Sequence, residues 1–98
     1  MEKRKPQYSL VTIRAMVEAG QVRTTGAARS GAAALGFDFK GMLGVVSALT
    51  MQDFYKSMTT MADHTIWQDV YRPQSEAGVL YIKLTVIDDV LIVSFKEL

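Results

Sequence analysis

Residues 79–96 read VLYIKLTV, IDDV, LIVSFK: two β-branched runs around an acidic pair. Runs of this kind favour extended strands, and polar residues between them favour a tight turn. The pattern predicts antiparallel strands at 79–87 and 90–96, turning at Asp88-Asp89. If Ile87 faces Val90 across a two-residue loop, the register follows by counting outward. Thr85 meets Ile92, Lys83 meets Ser94, and Tyr81 meets Lys96. On the opposite face Val86 meets Leu91, Leu84 meets Val93, and Ile82 meets Phe95. The second set is wholly apolar and is expected to bury. The first ends in a phenol and two ammonium groups. Two readings of that face stand on the pattern alone: an ordinary wetted sheet surface, or a surface that binds anions. An odd-length turn would separate Tyr81 from Lys96, and Asp-Asp lacks the glycine that usually completes a two-residue turn.

A chain of 98 residues that is 49% hydrophobic supports one core and one domain, spanning 1–98. With no cysteine and one histidine, it offers neither a disulfide framework nor a thiolate or histidine-rich metal site. The charged start and the lack of a long apolar run predict no secretion signal and no membrane span, and point to the cytoplasm. A formal charge of +1 excludes a broad cationic coat but leaves room for a local basic pocket.

In chain order, residues 1–7 read as a tether. Leu10, Ile13, Met16 and Val17 recur at helical spacing, with Pro6 suited to the entrance of that helix and Ser9 to its cap as alternative starts; Gly20 stops it, and Arg14 and Glu18 are placed to pair. Residues 21–25 suit a short strand or a linker. Residues 26–35 form an alanine-rich helix weakened by Gly31. Asp38 caps a helix to about Leu49 with a stripe of Met42, Val45, Val46 and Leu49, and Gly41 and Gly44 suggest close helix packing. Thr50 caps a short fourth helix, Met51–Phe54, with Asp53 at its third position as in a capping box. The remainder is β-rich, with Pro73–Gly78 as a polar link. The expected class is α+β: a compact antiparallel sheet packed against N-terminal helices.

No nucleophilic cysteine, Gly-x-Ser-x-Gly elbow or phosphate loop is present. Asp88-Asp89 suits a turn, and His64 beside Asp63 faces away from it in a strand. RNA cleavage needs none of these, because the substrate's own 2′-hydroxyl attacks the phosphate. Lysines and a tyrosine supply charge stabilisation and proton transfer. A lysine base near neutral pH requires a depressed pKa, which a cluster of Lys56, Lys83 and Lys96 can provide.

Asp53–Thr60 (DFYKSMTT), Asp63–Pro73 (DHTIWQDVYRP), Thr85–Ile87 and Val90–Glu97 (VLIVSFKE) carry a resemblance to the bacterial motility quorum-sensing regulator toxins. Gln21–Thr25 and the Leu35-Gly36, Asp38-Phe39, Gly41-Met42 pattern extend it over nearly the whole chain. The resemblance implies a RelE-like ribonuclease fold and a ribosome-independent mRNA interferase cutting at GC-containing steps such as GCU. It places catalysis on Lys56, Gln68, Tyr81 and Lys96, without cofactor or metal. Lys83 joins Tyr55, Met58 and Arg72 as candidates for RNA contact, whereas Trp67 reads as packed. The resemblance also implies a cognate antitoxin with a zinc-binding N-terminal domain and a helix-turn-helix domain, so DNA would be reached only through the complex. Two places depart from the family: the alanine- and glycine-rich 26–34 segment, and Asp88, where the best-known member has histidine. The rival readings are a non-catalytic RNA- or protein-binding regulator and a DNA-binding regulator.

Overall fold

The computed structural model describes residues 1–98. Three nine-residue helices lie in the first half of the chain, each opened by a side chain that accepts an otherwise unpaired backbone N–H. Ser9 accepts from Thr12 N at 3.1 Å and opens α1, Leu10–Glu18. Thr25 accepts from Ala28 N at 3.1 Å and opens α2, Gly26–Ala34. Asp38 accepts from Gly41 N at 2.7 Å and opens α3, Phe39–Ser47. Gly20 and Gly36, at φ 77° and 88°, turn the chain after α1 and α2 through the left-handed region that glycine adopts without steric cost. The Thr50–Asp53 box closes a single 3-10 turn, with Thr50 N donating to the Asp53 carboxylate at 2.9 Å.

Seven strands follow or interleave: β1 Glu2–Lys3, β2 Val22–Thr24, β3 Phe54–Thr59, β4 Trp67–Tyr71, β5 Gln74–Ser75, β6 Gly78–Ile87 and β7 Asp89–Glu97. The order across the sheet is β1-β3-β4-β6-β7-β2, with β5 folded back on β6. Neighbours are antiparallel except β2 and β7, which run parallel, so the sheet is mixed. The helices cover one face. Ile13, Ala32, Met42 and Val46 join Tyr71, Ile82, Leu84, Ile92 and Phe95 in one buried cluster.

The hairpin differs from its expected register in one half. Its tip is a single residue, Asp88 at φ 65°, with Ile87 opposite Asp89. Near the tip, Val86 therefore meets Val90, Thr85 meets Leu91, and Leu84 meets Ile92. A bulge then leaves Val93 as an extra residue in β7. Beyond it the expected partners return: Lys83 with Ser94, Ile82 with Phe95, and Tyr81 with Lys96. The odd turn and the bulge cancel. Val90 and Ile92 take the buried places expected of Leu91 and Val93, which are only half-buried.

Several local expectations are also corrected. Residues 1–7 are not a loose tether. Met1 O accepts from Thr59 N at 3.0 Å, and the amides of Gln7 and Tyr8 donate to the Asp69 carboxylate at 3.0 and 2.9 Å. Ser57 Oγ completes that cradle at 2.6 Å, so a carboxylate only 2% exposed keeps its charge satisfied. Arg14 donates to the carbonyl of Leu49 at 3.2 Å rather than pairing with Glu18. A side chain at Gly44 would meet nothing within 4 Å, so that glycine does not mark close helix packing. Gly31 does. A methyl there would clash with Phe95 O, because α2 rides directly on the β7 backbone. The Pro73–Gly78 link contains β5, pinned by Gln74 opposite Val79.

Candidate active site

The sheet face away from the helices is built row by row from strand pairing. The central row runs Lys56 (β3), Val70 (β4), Lys83 (β6), Ser94 (β7). On one side of it, Met58 pairs with Gln68. On the other, Tyr81 pairs with Lys96. All four residues expected to be catalytic, together with Met58 and Lys83, therefore share one face.

That arrangement depends on two bulges. In β3, Phe54 opposes Tyr71 and packs edge-on against it with ring centroids 5.5 Å apart. Two residues later a regular strand would point Lys56 to the same side. Tyr55 is instead an extra residue, and Lys56 emerges opposite Val70 on the other face. The Val93 bulge does the same for β7. Phe95 stays buried and Lys96 turns outward, although Ile92, four residues before it, points inward.

The bulged Tyr55 gathers cations. The Arg72 guanidinium lies 3.9 Å from its ring centroid, and Lys56 Nζ lies 5.3 Å from it. Tyr81 is bordered in the same way by Lys96 at 5.3 Å and Lys83 at 5.9 Å. Trp67, half-buried, carries Lys3 over its ring at 4.2 Å, in keeping with a packed residue. His64 is exposed on the β3–β4 turn. Asp88 stands at the hairpin tip, apart from these rows.

The lysines differ electrostatically. Lys56 Nζ donates to Glu2 at 2.6 Å, and this bond, with the attraction of the carboxylate, holds the ammonium pKa above its ordinary value. Glu2 is correspondingly held below the usual carboxylate range by its bond to Lys56. Lys83 has no carboxylate partner. Burial, then the charges of Lys96 and Lys56, push its pKa down. Sequence reasoning missed Glu2, because the pairing of β1 with β3 joins residues 54 apart and leaves no local signal.

The face is open. The largest hollow, about 710 Å³, lies elsewhere, lined by Asp38, Val45, Asp53 and Pro73 among others. None of the three hollows includes Lys56, Gln68 or Tyr81. An open sheet face carrying cations, aromatic rings and an amide suits an extended anionic chain better than an enclosed small molecule. No helix is long and apolar enough to cross a membrane.

The profile of a family described as "Motility quorum-sensing regulator, toxin of MqsA" matches residues 5–97. The mRNA interferase toxin MqsR of Escherichia coli strain K12 is 60% identical over 97 residues, covering 99% of each chain.

Proposed function

Since the chain belongs to the motility quorum-sensing regulator toxin family, we propose that it is an mRNA interferase that cuts single-stranded RNA on the open face of its sheet. The observation that carries this reading is the convergence of Lys56, Gln68, Tyr81 and Lys96 on that face by strand register. Lys56 and Lys96 hold the scissile phosphate and stabilise the charge that develops on it. Lys56 suits that role because its pKa is held up and its positive charge is secure. Tyr81 donates to a phosphate oxygen or to the leaving group, and Gln68 orients the 2′-hydroxyl. Tyr55, Met58 and Arg72 offer stacking and backbone contacts beside the cut.

In this reading cleavage needs no metal, occurs at GC-containing sites such as GCU, and inhibits translation. The family description names MqsA as the toxin's partner, and a cognate antitoxin neutralises this chain in the same way. A zinc-binding domain and a helix-turn-helix, by family likeness, belong to that antitoxin, and DNA is reached through it. Incubating a defined GCU-containing RNA with the protein in EDTA tests the reading. The expected products carry a 5′-hydroxyl and a 2′,3′-cyclic phosphate. RNA left intact by excess protein overturns the ribonuclease reading in favour of a non-catalytic binding module.

A further inference from the structure

Lys83 is placed unlike the other lysines of the face. It lies on β6, between β4 and β7, with Val70 and Ser94 as its lateral partners. Val70 has no exposed surface, and Lys83 itself is half-buried. The two ion pairs in the molecule, Arg23–Asp89 and Lys56–Glu2, both leave it out. The charged and titratable groups around it come from four strands, β1, β3, β6 and β7. Lys56 projects from β3 with Glu2 and Tyr55 close to it, Lys96 projects from β7, and Tyr81 lies two residues away on β6 itself. The Glu2 carboxylate is already committed to Lys56.

We propose that Lys83 is the general base of RNA cleavage, its uncharged amine taking the proton of the attacking 2′-hydroxyl while Lys56 and Lys96 hold the phosphate. The proposal rests on the RNA-cleaving reading above and assigns the one role it leaves open. As the 2′-oxygen bonds to phosphorus, its proton moves to Lys83 Nζ. The bond from phosphorus to the 5′-oxygen breaks, and the departing oxygen takes a proton from the Tyr81 phenol. Solvent returns a proton to Tyr81 and removes one from Lys83, so protons balance and no oxidant or metal is consumed. The division of labour follows the surroundings. Lys56, held by a carboxylate, keeps its proton. Lys83, desolvated between two ammonium groups, gives its proton up more readily than an ordinary lysine.

Single-turnover cleavage of a GCU-containing oligonucleotide across pH, by the full chain and by K83R and K83A, tests the assignment. Arginine keeps the positive charge but does not deprotonate in this range. Wild-type rates are expected to rise with pH and level off below the ordinary lysine range. K83R should lose at least about a hundredfold, while its affinity for a 2′-deoxy analogue stays within about threefold, as expected when the charge is kept. Added small primary amines should restore K83A, with an inflection that follows the pKa of the amine. The rescue also decides the matter if K83R folds poorly. Wild-type-like cleavage by K83R, or K83A indifferent to amines, overturns the role of Lys83 alone. RNA left intact by the wild type overturns the ribonuclease reading and this assignment together.

Discussion

Asp69 and Lys83 sit on adjacent strands, one register position apart, and point to opposite faces of the sheet. Asp69 faces the helices, is 2% exposed, and receives three donors from Gln7, Tyr8 and Ser57. Lys83 faces outward, loses part of its hydration, and receives ammonium neighbours in place of a counter-ion. The same sheet thus compensates one charge fully and leaves the other unmatched. Compensation on the inner face closes the N-terminal segment over the sheet. Its absence on the outer face keeps a reactive group available, as expected where a site departs from the rules that stabilise the rest of a fold.

Substitutions should separate these faces. Asp69→Ala leaves the buried Ser57 hydroxyl and the Gln7 and Tyr8 amides without their acceptor and should cost about 3 kcal/mol, read by denaturant unfolding. Residual folded protein should still cleave RNA, and a folded but inactive D69A would break the separation. Lys56→Ala should lower cleavage by about a hundredfold with its melting temperature close to wild type. A large loss of stability would place Lys56 with the structural residues. Gly31→Ala probes the seam between the faces, since its methyl must displace α2 or β7 next to Phe95. It should cost about 2 kcal/mol and, by shifting β7, also weaken cleavage through Lys96. Unchanged cleavage at equal folded fraction would show that β7 absorbs the strain without moving Lys96. Asp88→Gly, at the tip with φ 65°, relieves a left-handed backbone. It should raise stability by about 0.5 kcal/mol and leave cleavage as it was. A fall in cleavage would bring the tip into the site.

What was legible in the sequence follows the same division between regular and irregular strands. β6 alternates without interruption, so Leu80, Ile82 and Leu84 could be placed inward and Tyr81 and Lys83 outward by counting. The caps at Ser9, Asp38 and Thr50 were legible because capping is a local exchange of hydrogen bonds. The near half of the hairpin was not. A one-residue tip with a compensating bulge has the same apolar pattern as a two-residue turn, and the difference is settled by packing against the helices. β1 was illegible for another reason. Its anchor Lys56, like the Asp69 that holds Gln7 and Tyr8 after it, lies more than 50 residues away along the chain. The family motifs placed Lys56 and Gln68 among the catalytic candidates, but the parity switch at Tyr55 that aims Lys56 outward appears only in the strand pairing.

Val93 gives the hairpin an unusual arithmetic of chain length. Remove it, and Ile92 still faces Leu84 while Ser94 still faces Lys83, now as consecutive rungs of an unbroken ladder. Remove a residue between Ser94 and Lys96, and the lysine changes sides. The hairpin therefore has one position where a relative can be a residue shorter and keep the same outward face. Next to it lies a short stretch where the residue count is as fixed as the residue types.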